Sequence, residues 1–419
     1  MTGNREVITG GDYKRMVTGA YSEFLLEYDH INKLDVARLK AGTHILHTMG
    51  AAVMPLYEVK DESIGGLSSR VAAAAVFGAR GNSGVILAQL FRGLSKGLSG
   101  KLNASSSEFG KAFQYGILYA QRVMPEGYPE RPFITVAKAV AKGAYHAVRA
   151  NLPIAEILNA AIDAGEKAMN DLAEKDAGAS VMFIFLRGCL KGLDGNFVSP
   201  AVSLSLGLGR SADMPDPRDD LVRPYCLTLR IKNTKINVPE LEKQLKEFSN
   251  FALAERYEKY IAVHIHTDHV GRVMEQAVGW GPLTDIRIIN MSEAHALTAH
   301  DAIMPVAALA VAANAEAAQE LQKAGASVLV TGAPDKCPSV AELVSAGHSD
   351  MAASYVMVAS HANYRLVFRQ AKRLLGKRVE LVLCPDEATA LKALKAFAPD
   401  KTANENAKIM GKAAGIRKK

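Results

Sequence analysis

Apolar residues recur at helical spacing through the first half of the chain. Leu87, Leu90, Phe91 and Leu94 share one helix face, and alanine-rich stretches such as Val71 to Val76 and Val136 to Tyr145 continue the period. The pattern breaks at Met54-Pro55, Ser105 to Ser107, Pro125 to Pro132 and Asn151-Leu152-Pro153. These breaks predict an all-α bundle of roughly seven to nine helices over 10–195.

A Gly/Pro/Asp-rich stretch follows, with Gly207, Gly209 and Met214-Pro-Asp-Pro217, and predicts a linker over 196–223. Beyond it strands and helices alternate. Tyr225 to Ile231, Ile261 to His266 and Thr284 to Ile289 read as strands, and Val238 to Tyr257 and Val270 to Val278 as helices, giving a small α+β domain over 224–300. Strands at Val306 to Val311, Ser327 to Thr331, Tyr355 to Val358 and Val379 to Leu383, with helices at Ala315 to Ala324 and Arg365 to Leu375, predict a mostly parallel α/β domain over 305–400. The fold class is therefore multidomain: a helical N-terminal domain, an α+β middle domain and an α/β C-terminal domain.

Composition narrows the function classes. The chain is 49% hydrophobic and 22% charged, typical of a globular protein, and no apolar run reaches the length of a membrane span. Met1 to Val7 carries no signal-peptide core, so the cytoplasm is the expected location. The four cysteines form no CxxC pair, which argues against a disulfide framework. The net charge of +7 owes part of its excess to a basic segment ending in Arg417-Lys418-Lys419, and 401–419 reads as a solvated tail. With aromatics at only 6% and no interleaved basic and aromatic groove, nucleic-acid binding is not expected.

The candidate chemistry centres on Gly78-Ala-Arg-Gly-Asn-Ser-Gly84, a glycine loop opening the helix that carries Leu87 to Leu94. The first amides of a helix have no internal partner and the dipole is positive there, so the loop suits a phosphate; a capped turn is the simpler alternative. It follows neither the Walker nor the dinucleotide pattern.

In this order, these pieces resemble the ATP-binding catalytic subunit of bacterial fatty acid kinase, whose N-terminal domain is related to the nucleotide-binding domain of dihydroxyacetone kinase. The resemblance rests on the glycine loop continuing into Leu90-Phe-Arg-Gly93, on Thr135-Val-Ala-Lys138, on Asp176-Ala-Gly178, and on Val263-His-Ile-His-Thr267 with Ile289 to His295. It is looser at Cys337-Pro-Ser339, at Ser360 to Asn363 and at Ala396-Phe-Ala-Pro399. It implies an eight-helix barrel with ATP at its mouth, held by Gly42, Thr43, Gly81, Asn82, Ser83 and Gly84, with Thr135 and Asp176 nearby. It also implies phosphoryl transfer to a fatty acid on a carrier protein.

The chain departs from that pattern at the metal. The family's Asp-Gly-Asp-Thr-Gly-Thr-Asn is matched here by Arg38-Leu-Lys-Ala-Gly-Thr-His44, with Arg38 and Lys40 in place of the two aspartates. Mg²⁺ seeks carboxylate oxygen, and two cations repel it. The family's second glycine-rich stretch, Asp-Ser-Gly-Gly-Lys-Gly, is eroded as well: after Asp176-Ala-Gly178 its second Gly, Lys and third Gly are matched by Ala179, Ser180 and Val181. Three readings stand: a degenerate, nucleotide-binding or scaffolding relative; a working kinase in which Arg38 and Lys40 hold phosphate directly; and a structural helical protein that binds no nucleotide. His44 and His47, at i and i+3, read as a solvated helix face or as soft-metal ligands.

In the middle domain His264 and His266 alternate along one strand, with Cys226 on a candidate neighbour. They are a packing pair or part of a zinc set completed by His269 or His295, and the resemblance implies zinc at Cys226, His264 and His266. The partner it implies is a fatty-acid-binding carrier protein, and a second copy of the chain is a separate candidate. The family usually continues well past the point matching Pro399, whereas this sequence stops at Lys419, which weighs against carrier docking.

Overall fold

The computed structural model describes residues 6–35, 37–58, 63–124, 131–172, 177–195, 225–245, 247–248, 252–256, 259–267, 269–290, 304–347 and 352–416. The expected linker, Asp176 and His295 lie outside these residues.

The N-terminal part is helical, as its periodicity predicts. Its helices are α1 (Gly10–Leu34), α2 (Ala41–Val53), the single turn α3 (Pro55–Glu58), α4 (Ile64–Gly78), α5 (Gly81–Leu98), α6 (Ser106–Val123), α7 (Arg131–Arg149), α8 (Ile154–Asn170) and α9 (Ala177–Asp194). A two-stranded ribbon of β1 (Val7–Ile8) and β2 (Ala104–Ser105) ties α1 to the start of α6. Local chemistry sets the helix starts. Thr9 with Asp12, and Ser105 with Glu108, form reciprocal capping boxes that satisfy end amides of α1 and α6.

Leaving out α3, each described helix packs on the next, and α9 returns against α1, so eight described helices close a ring. The closure depends on small residues. Gly19 on α1 faces Gly188 and Gly192 on α9 so closely that a Cβ at any of the three would strike the opposing backbone.

The middle part contains β3 (Tyr225–Lys232), α10 (Val238–Leu245), β4 (Ala252–Arg256), β5 (Tyr260–Thr267), α11 (Val270–Trp280) and β6 (Leu283–Asn290). The antiparallel sheet order is β4-β5-β3-β6, a split β-α-β-β-α-β unit. The helix expected to run to Tyr257 ends at Leu245, because Ala252–Arg256 pairs along β5 instead. A tertiary partner here overrides local propensity. Leu227, Leu229, Ile231, Ile261, Val263 and Ile265 fill the core of this unit.

The C-terminal part is a parallel sheet in the order β10-β9-β7-β8, from β7 (Met304–Ala312), β8 (Val328–Thr331), β9 (Ala352–Ala359) and β10 (Val379–Leu383). Its helices are α12 (Ala315–Ala324), α13 (Val340–Gly347), α14 (Arg365–Leu375), α15 (Glu387–Lys395) and α16 (Ala403–Ala413). The expected solvated tail is corrected here: 403–413 is a helix with its own capping box, and Asn406 and Met410 are fully buried. Met410 joins the apolar layer on one face of the sheet. The other face, with Leu309, Tyr355 and Met357, merges with the helical domain into one continuous core through α13 and α14.

Candidate functional site at the glycine loop

The glycine loop lies where the helical domain meets the C-terminal ends of the parallel strands. α4 ends at Gly78, and Gly81, at φ +58°, begins α5. Arg80 occupies the N-cap position and supplies no side-chain cap. The caps come from the C-terminal domain instead.

The Gly81 amide donates to the sulfur of Cys337. The Asn82 amide donates to Asn363 Oδ1 at 3.2 Å. In return, Asn82 Oδ1 accepts the Leu366 amide at the start of α14 at 3.2 Å, and Asn82 Nδ2 donates to the Ala362 carbonyl at 3.3 Å. Two helix N-termini from different domains thus meet, and each is capped by an asparagine of the other. Asn363 Nδ2 donates to the Pro334 carbonyl at 2.8 Å, joining the loop after β8 to the loop after β9.

Arg80 fastens the same junction. Its amide donates to Thr48 Oγ1 at 3.3 Å, and its Nη1 donates to the Cys337 carbonyl at 3.0 Å and pairs with Glu342 at 3.2 Å. The Val340 amide donates to the Ala79 carbonyl at 3.1 Å, beside a bridge between Arg80 and Ser339.

His44 lies beneath this contact, 3% exposed, and its Nε2 accepts the Cys337 amide at 3.3 Å. A Cβ at Gly81 would approach His44 Nδ1 to 2.6 Å, so the glycine is needed for closeness as well as for its backbone angle. Burial first, and then the positive charges of Arg80 and His47, hold the His44 imidazole down to about 4. The ring is therefore a neutral acceptor, and the expectation that His44 sits on a solvated face is corrected. Burial pushes the Cys337 thiol up to about 12, against the pull of the Gly81 amide and Arg80. It is an inert thiol.

The other expected phosphate residues separate into different roles. Gly42 lets α2 touch the α1 backbone at Tyr28. Thr43 is held by Asn32, whose Oδ1 accepts the Thr43 amide at 3.1 Å and whose Nδ2 donates to Thr43 Oγ1 at 2.9 Å. Gly84 packs against Thr48. Ser83 turns inward to an apolar cavity inside the ring, lined also by Ile86, Leu90, Phe133 and Phe185. Thr135 is exposed on α7.

Arg38 and Lys40 are both exposed, and both sit at φ +54°, a backbone that asparagine and aspartate tolerate better than long side chains. The carboxylates around them are already engaged. Asp35 accepts the amides of Leu39 at 2.9 Å, Ala41 at 3.1 Å and Ala37 at 3.2 Å, and Asp335 pairs with Lys40 at 3.3 Å. This donor set does not fit a magnesium ion. Among the described residues no group of three His, Cys, Asp or Glu side chains is placed to hold a metal.

In the middle domain the backbone register sets Cys226 directly opposite His266, with His264 two positions along β5, on the sheet face opposite the buried Leu227 and Ile265. The side chains of these three lie outside the described residues. His269 is exposed at the N-cap of α11.

Sequence reasoning locates the loop but misses Asn363, Cys337 and Glu342 as the groups that meet it. A signal exists, since Cys337-Pro-Ser339 and Ser360 to Asn363 carry family resemblance, although their spacing alone attaches no chemistry to them.

Comparison with known proteins agrees with this architecture. Residues 41–180 match the DAK2 domain, 223–298 the FakA-like middle domain of fatty acid kinase, and 307–417 the FakA-like C-terminal domain. The chain is similar to Protein YloV of Bacillus subtilis, 27% identical over 410 residues, covering 90% of this chain and 74% of that protein. It is 24% identical over 392 residues to an uncharacterized protein of Staphylococcus epidermidis, covering 86% and 70% of the two chains. A Staphylococcus aureus protein is 24% identical over 409 residues, covering 90% and 74%. With three consecutive domain matches in family order, the chain belongs to the FakA-like family of fatty acid kinase proteins.

Proposed function

We propose that this chain is a degenerate member of its family, a scaffold that has kept the helical barrel and lost Mg²⁺-dependent phosphoryl transfer. Its glycine loop serves as the seat of its own C-terminal domain. The observation that carries this reading is the reciprocal capping of α5 and α14 by Asn363 and Asn82. A triphosphate on the loop would have to displace the Asn363 oxygen and the Cys337 sulfur from the amides it needs. Phosphoryl transfer is catalysed mainly by charge neutralisation and alignment, and metal ions normally supply much of both. The cations at 38 and 40 and the engaged carboxylates of Asp35 and Asp335 support the loss of that metal. A place in fatty acid or phospholipid metabolism rests on family membership alone.

A second reading is favoured by the exposure of Arg38 and Lys40. With the C-terminal domain displaced, their side chains would hold phosphate without a metal, as arginine and lysine do elsewhere. Calorimetric titration of the full chain with ATP, with and without Mg²⁺, tests both. The degenerate reading expects no Mg²⁺-dependent binding and no phosphoryl transfer. Tight binding that requires Mg²⁺ overturns it, and binding weakened by Mg²⁺ selects the metal-free site.

A further inference from the structure

The surface beyond the domain junction is strongly cationic. Asn82 meets Leu366 near the start of both helices, and Gln89 Nε2 donates to Gln370 Oε1 at 3.0 Å further along. The two contacts set α5 and α14 side by side and running in the same direction. Beside and beyond them, Arg92 and Lys96 project from α5, Arg369 and Arg373 from α14, and Lys377 from the turn that follows it; all five are exposed. Arg92 Nη1 reaches back to Gln89 Oε1 at 3.4 Å, the same side chain whose Nε2 donates to Gln370 on α14.

Neither 81–98 nor 365–378 contains an aspartate or glutamate. The Glu380 carboxylate is taken by Lys372 at 2.6 Å, and Arg369, Arg373 and Lys377 have no ion pair among the described residues. Arg365, Arg369 and Arg373 repeat at i, i+4, as do Arg92 and Lys96, and like charges at that spacing weaken a helix. The helix dipole accounts for cations in the last turn of α14, such as Lys372 and Arg373. It works against Arg365 and Arg369, which lie towards the positive end. Folding therefore gives no reason for this row.

Exposed apolar groups are set among the charges. Leu374, 41% exposed, lies between Arg373 and Lys377. Tyr115, 49% exposed, lies over Gly97 beside Lys96, where a Cβ would meet its ring at 3.3 Å. Arginine and lysine mixed with exposed leucine and tyrosine match the polar boundary of a bilayer, where stems and rings bury and charges meet anionic headgroups. A nucleic-acid strand would call for more stacking rings than this surface offers. Among the described residues no helix is long and apolar enough to cross a membrane, so the contact would be peripheral.

We propose that the paired cationic faces of α5 and α14 form a docking surface for anionic phospholipid. The ridge is assembled from two domains and exists only while they are docked. The test is co-sedimentation of the full chain with phosphatidylcholine vesicles, with and without about one-third phosphatidylserine, at about 0.1 M and about 1 M salt. Binding is expected only to the phosphatidylserine vesicles and only at the lower salt. Combined Arg369→Gln, Arg373→Gln and Lys377→Gln substitution should lower the partition about a hundredfold, from the usual contribution of each surface cation. Its melting temperature should not fall, because like-charge repulsion is relieved. Lys138→Gln with Lys142→Gln, exposed on α7, should bind as the unaltered protein does. Equal binding to neutral vesicles, no binding to either, an unaffected triple variant, or preference for a polynucleotide over phosphatidylserine would each overturn the proposal.

Discussion

Replacing Asn363 with alanine is the sharpest test of the junction. The side chain is 5% exposed and makes two hydrogen bonds, accepting from the Asn82 amide at 3.2 Å and donating to the Pro334 carbonyl at 2.8 Å. Asn82 is 4% exposed, so water cannot easily replace its lost acceptor, and a buried unsatisfied amide costs about 1–3 kcal/mol. Pro334 is half-buried and can be rehydrated, so its bond adds the ordinary ~1 kcal/mol. A total of about 2–4 kcal/mol falls on the contact between the domains, equivalent to roughly 30- to 900-fold in the docking equilibrium.

Hydrogen exchange resolved by peptide reads this locally, where a single melting curve would mix several domains. Asn363→Ala should speed exchange over 79–90 and 333–340 by about that factor and leave 10–30 unchanged. Asn314→Ala is the control. It removes an exposed cap, in which Asn314 Oδ1 accepts the Ala317 amide at 2.8 Å, and should loosen only the start of α12. Unaltered exchange at 79–90 in Asn363→Ala would refute the idea that the C-terminal domain caps the glycine loop.

Further predictions concern the neighbouring residues. The His44 imidazole titrates at about 4 in the folded chain against the usual 6.5, so the folded state prefers it neutral. The stabilisation is complete above about pH 6.5 and is lost as the pH falls from there to about 4, amounting to about 3 kcal/mol. Denaturant unfolding at a series of pH values should show that decline, and His44→Gln should flatten it; equal slopes would show that another group is responsible. Arg38→Asn should stabilise the chain by roughly 0.5–1 kcal/mol, because asparagine accepts the positive φ more readily. A lower urea midpoint for that variant would mean that the arginine makes a contact worth more than its backbone strain.

Much of the architecture was legible because it is local. The helical period of 10–195, the proline and serine breaks and the strand at Val379–Leu383 need only neighbouring residues to specify them. Where a distant partner decides, local reading failed. Ala252–Arg256 is a strand because β5 offers it an edge, and 403–413 is a helix with one face closing the sheet core through Met410 rather than a charged tail. The glycine loop was visible for the same local reason, since its residues open a helix and leave amides to be satisfied. What satisfies them comes from about 280 positions further along the chain.

The sequence by itself determined that α5 begins with amides that its own helix cannot satisfy, and that three domains follow one another in family order. Each depends on residue identity and short spacing alone. Only the tertiary structure decided where those donors are directed and which cations share a surface. A helix N-terminus attracts any well-placed acceptor, whether a phosphate or an asparagine, and its own sequence carries no information about which arrives. In this chain the acceptors are Asn363 and Cys337, because the merged core beneath α13 and α14 holds the loops after β8 and β9 against α5.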